Sequence, residues 1–155
     1  MKKKIIISVI ILIAIVTGVT VVSSNQEETV EERWLREQVR SGPFTIDKAE
    51  YNIGEKIFIT SNDLPEDEKG SMMFFRPLNS TAWSNYKTID FNGNAKTKFN
   101  IYFEPQLSKL KNICSTNDLA GTWLVKFIGT EYPDISFEIF NQTSSWDKRI
   151  FEPVC

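Results

Sequence analysis

Histidine is absent from this 155-residue chain, and cysteine occurs only twice. Without imidazole, the commonest general base, the usual catalytic triads and most zinc or copper sites drop out together. Basic charge is not in excess either, with 18 Lys and Arg against 20 Asp and Glu. Once Lys2, Lys3 and Lys4 are set apart, residues 23–155 hold 15 basic and 20 acidic side chains, a net of −5. That balance is wrong for a polyanion binder, so nucleic acid is not an expected partner. Internal repeats and low-complexity tracts are missing, and there is one long apolar run. The 133 residues that follow it suffice for one domain with a single core.

The apolar run, residues 5–22, carries no charge over 18 positions. As a helix it would reach about 27 Å, close to the hydrocarbon thickness of a bilayer. Residues 1–22 therefore read as a Lys cluster and a transmembrane signal-anchor helix. The lysines stay on the cytoplasmic side and the rest of the chain lies outside the cell membrane, as a single-pass protein. The same run also fits a secretory signal cut after Ser23, which would release the domain. Both readings export it. No Cys follows the run closely, which excludes a lipoprotein anchor.

Residues 23–43 read as a charged helical stalk, with a helix over residues 25–40. Asn25 is placed to cap it, with Glu28 three residues later as in a capping box. Glu27, Glu28, Glu31 and Glu32 load the positive end of the helix dipole, Arg36 and Arg40 lie near the negative end, and Gly42-Pro43 stops the helix. Trp34 and Leu35 form a thin apolar stripe that packs on the chain's own domain or on a partner.

From Phe44 the pattern changes to short alternating runs between turn signals. Strands are expected over 44–47, 56–60, 72–76, 83–91, 96–103, 121–129 and 135–139, and a last one within 146–155. Residues 51–55 read as a turn, 62–70 as an acidic loop, and 105–111 as a helical turn. Asn92-Gly93 predicts a tight hairpin joining 83–91 to 96–103. All 19 Phe, Trp and Tyr lie beyond residue 33, ample material for an inter-sheet core. Residues 44–155 are thus expected to form an all-β, antiparallel sandwich.

The segment Thr45-Ile-Asp47-Lys48-Ala-Glu-Tyr51-Asn-Ile-Gly54-Glu55-Lys-Ile57-Phe-Ile59 resembles the opening two strands of immunoglobulin-like sandwiches of the macroglobulin-type and prokaryotic cell-surface kind. Gly121-Thr-Trp123-Leu-Val125-Lys-Phe127-Ile-Gly129 is similar to a late strand of those modules. The resemblance departs at Ile53, where a Pro commonly precedes the Gly. It implies an immunoglobulin-like fold and an exported location, and it brings no catalytic residues.

Cys114 and Cys155 are an even pair in an exported domain, and an intramolecular disulfide is expected. Asn79-Ser-Thr81 and Asn141-Gln-Thr143 fit the N-glycosylation acceptor. The run from Asp90 to Asn94 imitates the start of a calcium loop but has Ala95 and Ile101 where Gly and Glu are needed. Ser108 and Lys111 match Ser-x-x-Lys without its companion motifs. No catalytic residue, cofactor or metal site is expected. Trp83, Tyr86 and Trp146 sit among polar neighbours and are candidates for an interaction surface, either a protein hot spot or a sugar-stacking platform. The function expected is that of an accessory or adhesion-like subunit docking onto another envelope protein. The alternative is a glycan-binding module.

Overall fold

The structure, a computed structural model, describes residues 37–143 and 151–155. The proposed membrane segment, Trp34, Leu35 and Trp146 lie outside the described residues. Among the described residues no helix is long and apolar enough to cross a membrane.

Among the described residues nine strands run in chain order: β1 Val39–Ser41, β2 Phe44–Ile46, β3 Glu50–Ile53, β4 Ile57–Ser61, β5 Lys69–Pro77, β6 Trp83–Asn92, β7 Phe99–Phe103, β8 Gly121–Ile128 and β9 Ile135–Thr143. They form a two-layer sandwich, a four-stranded sheet ordered β1-β2-β4-β7 and a five-stranded sheet ordered β3-β9-β8-β5-β6. All pairings are antiparallel except β3 on β9, which is parallel.

Period-two alternation places the core. Ile57 and Ile59, Met72 and Phe74, Trp123, Val125 and Phe127, and Ile135, Phe137 and Ile139 all turn inward and are buried. Trp123 is fully buried; its indole N–H donates to the Leu119 carbonyl at 2.8 Å, and its ring meets Tyr86 and Phe137 at 5.0 and 5.8 Å. Phe44 does the same at the other end, with Phe91 at 4.8 Å and Phe127 at 5.2 Å. Each such ring stabilises the fold by roughly 1.5–3 kcal/mol through burial alone.

Four expectations need correction. Val39 and Arg40, read as the end of the stalk helix, belong to β1. Gly42-Pro43 is not a helix stop but the two-residue turn of the β1–β2 hairpin, with Gly42 at φ 54°. The stretch 51–55, read as a turn, is mostly strand: β3 ends at Ile53, and only Gly54 and Glu55 turn, the Glu55 N–H donating to the Asn52 carbonyl. No hairpin joins β6 and β7, because β6 pairs with β5 in one sheet and β7 with β4 in the other. Asn92-Gly93 instead begins a crossing between sheets. Gly93 is required there by close approach, since a Cβ would lie 1.7 Å from the Pro65 carbonyl oxygen. Of the range 146–155, where a last strand is expected, residues 151–155 contain none and residues 146–150 lie outside the described residues.

Candidate functional site

A concavity of about 830 Å³ lies at the end of the sandwich where the β5–β6 turn meets the segment between β7 and β8. Its floor is set by Arg76. Alternation along β5 points Arg76 inward after Met72 and Phe74, so a guanidinium occupies a core-facing position and is buried. Its charge is solvated by backbone dipoles. Nη1 donates to the carbonyls of Asp118 (3.3 Å) and Pro77 (3.5 Å), and Nη2 to those of Lys111 and Asn112 (both 3.3 Å). Three of these acceptors come from the 3-10 turns Lys109–Lys111 and Thr116–Asp118 or their caps, so one side chain gathers the loop onto β5.

The loop is fixed from its other side by the Cys114–Cys155 disulfide, with Cα atoms 5.1 Å apart, and by the Val154 N–H donating to the Cys114 carbonyl. The Asp118 carboxylate accepts from the backbone N–H groups of Ser115 (2.8 Å) and Cys114 (2.9 Å) and from the Ser115 hydroxyl. Those bonds, led by the Ser115 N–H, hold its carboxyl below the usual range, and the nearby Arg76 charge adds to the effect.

Trp83 stands on the wall of the cleft. Its indole N–H donates to the Thr122 carbonyl at 3.0 Å, which locks the ring while leaving 39% of the residue exposed. Asn79, Asn112 and Asn117 line the same cleft. Thr122 donates its hydroxyl to Glu138 at 2.7 Å, so both carboxylates at the cleft, Asp118 and Glu138, already accept hydrogen bonds. The arrangement offers a fixed aromatic surface and neutral polar groups, a lining suited to holding a polar ligand.

Tyr86 does not join this surface. In the β5–β6 register Phe75 faces Asn85 and Phe74 faces Lys87, so Tyr86 is the extra residue of a β-bulge. Trp83 points outward while Tyr86 turns in against Trp123 and Phe103. The Gln106 N–H donates to its hydroxyl, Lys111 Nζ lies 4.3 Å from its ring centroid, and burial pushes its phenol up. Of the two candidate rings within the described residues, Trp83 is therefore the exposed one and Tyr86 packs against the core. Lys111 of the Ser-x-x-Lys match donates to the Tyr86 carbonyl at 2.8 Å.

Both acceptor sequences for glycosylation fall at this end and are exposed. Asn79 uses its oxygen to accept from the Thr81 N–H and hydroxyl, while the Asn141 amide nitrogen donates to Asn117 at 2.6 Å. A glycan at Asn79 would stand at the mouth of the cleft.

Sequence reasoning missed a second exposed feature. Phe58 and Tyr102 face each other across β4 and β7 on the outer side of the four-stranded sheet, 38% and 57% exposed, with centroids 5.5 Å apart. Lys56 Nζ lies 4.7 Å from the Tyr102 ring centroid. The alternation of each strand already turned these rings outward; what was lacking was the pairing of β4 with β7. Arg76 was legible in the same way, from its parity with Met72 and Phe74.

No protein-family model matches the chain, and no curated protein or solved structure matches it.

Proposed function

We propose that this is a membrane-anchored, extracytoplasmic interaction protein whose immunoglobulin-like sandwich docks onto another envelope protein or complex. The observation that carries the docking reading is the Phe58–Tyr102 pair with Lys56 beside it. Two rings left to solvent on a sheet face, with a cation over one of them, have the composition of an interface hot spot. Export is supported by residues 1–22 and by the disulfide, a bond that persists in oxidising compartments. The immunoglobulin-like assignment draws on strand order. β9, β8, β5 and β6 stand side by side as strands G, F, C and C′ do in variable-type domains, and the first strands divide between the two sheets.

The test is the native mass of the protein extracted from its own membranes in mild detergent, with co-purifying chains identified. A stable assembly containing a second kind of chain is expected, and Phe58→Ala with Tyr102→Ala should release it. Extraction without any other chain would overturn the docking reading.

The cleft favours a second reading, binding of an envelope glycan, because Trp83 is the kind of rigid ring on which a pyranose stacks and three asparagines line the same cleft. Glycan binding by the full chain should be lost in Trp83→Ala; binding that survives this substitution would remove the cleft from consideration.

A further inference from the structure

The four strands that end a sheet do not protect themselves equally. β1 has only three residues; β3 and β6 each carry a register irregularity, and Lys111 caps the Tyr86 carbonyl of β6. Short edges, bulges and edge lysines are the usual means of preventing strand-to-strand association. β7 has none of the first two. It pairs with β4 without a shift over five residues, and among the described residues no strand lies on its other side. Beside it the sandwich is open: an apolar groove of about 350 Å³ separates β6 from β7, lined by Ile89, Phe91, Phe99 and Ile101.

The sequence around β7 identifies what fits. Residues 98–104 read Lys-Phe-Asn-Ile-Tyr-Phe-Glu. Laid antiparallel against a copy of itself about Ile101, this segment sets Phe99 opposite Phe103 and Asn100 opposite Tyr102. At each end Lys98 faces Glu104. Directly opposed residues in an antiparallel pair lie on the same sheet face, and here the core-side residues Phe99, Ile101 and Phe103 meet only one another. A shift by one residue would oppose core-side to solvent-side residues, and a shift by two would take Lys98 off Glu104 and set it opposite Tyr102 or Gln106. Lys98 and Glu104 take part in none of the ion pairs found within the described chain.

We propose that the protein self-associates through β7, two copies pairing antiparallel about a two-fold axis at Ile101. The two four-stranded sheets become one of eight strands. The Phe58–Tyr102 pairs of both copies then lie on one continuous face, and the two apolar grooves meet across the axis. The interface is isologous, so a charge changed once is changed at both ends. The proposal stands apart from the docking reading, since it requires no second kind of chain.

The experiment is the mass of the full chain, purified alone in mild detergent, followed by sedimentation over a range of concentrations. A species of two 17.9 kDa chains is expected, dissociating on dilution. Lys98→Glu and Glu104→Lys should each weaken it by about tenfold or more, because like charges then oppose at both ends. The double exchange Lys98→Glu with Glu104→Lys should restore it, which also shows that neither position is needed for folding. A monomer at every concentration, a dimer indifferent to the single changes, or a double exchange no better than either single change would each overturn the proposal.

Discussion

The two flanks of the sandwich solve the same problem in opposite ways. On one flank the chain leaves β2, crosses at Asp47–Ala49 and enters the other sheet as β3, so strands from both layers cover the core. The crossing is latched by polar bonds. Asp47 accepts from the Tyr51 hydroxyl at 2.6 Å and from the Phe58 N–H at 2.9 Å, while Glu55 accepts from the Asn52 N–H and pairs with Lys48 at 3.4 Å. On the other flank the chain passes from β6 to β7 through Gly93–Lys98 with no intervening strand, and Ile89, Phe99 and Ile101 are left half-covered. Both crossings lead straight into an edge strand of the other sheet; the first encloses Tyr51 under its latch, and the second leaves apolar side chains half-covered.

Substitutions should expose this asymmetry. The largest expected loss is at the sealed flank, where Tyr51→Ala removes a fully enclosed ring and the latch together and should cost about 3–5 kcal/mol in denaturant unfolding. Phe99→Ala, deleting a ring of the same class at the open flank, should cost about half as much, because part of that ring already meets solvent. Equal losses would mean that the flanks are equally packed. Replacing Cys114 and Cys155 by Ser should lower stability by roughly 4 kcal/mol and leave this difference between flanks intact, since the bridge serves the cleft end. Arg76→Met should cost about 2–3 kcal/mol, by leaving buried carbonyls without a donor. It should also disturb the cleft while sparing both flanks, as amide chemical shifts would record.

Alkaline titration probes the sealed flank more gently. Burial, and then the hydrogen bond and charge of Asp47, raise the Tyr51 phenol above its ordinary value; Tyr132 is raised likewise by burial and by its hydroxyl bond to Glu68. A raised folded value means that the native state holds its proton longer than the unfolded chain does. Stability is therefore complete below a pH of about 10 and declines as pH rises past the unfolded value. Absorbance at the phenolate band should show these rings ionising only as the protein unfolds, and Tyr51→Phe should flatten the alkaline decline.

What the sequence disclosed depended on whether the controlling contact was local. The strand 121–129 was legible because Trp123, Val125 and Phe127 alternate and glycines bracket it. The disulfide was legible because an even pair of cysteines, in a domain expected to be exported, leaves few options. Asn92-Gly93 misled because its local signature is that of a hairpin turn, whereas Gly93 is held by Pro65 from a loop nearly thirty residues upstream. Val39–Ser41 misled because three residues become a strand only when β2 lies beside them. At the cleft, Trp83 could be singled out from its polar neighbours, but the bulge that turns Tyr86 away is a property of the β5–β6 register, and registers between distant strands are not written in either strand alone.

Arg76 has one further consequence. Because its guanidinium grips carbonyls at both 3-10 turns, the loop cannot lift away without stranding a charge in the protein interior. The loop and the sheet should then open as one cooperative unit. Amide exchange at Asn112 and Leu119 would track global unfolding instead of local fraying, and a protease would find residues 109–118 resistant for as long as the sheet stands, despite their position on the surface.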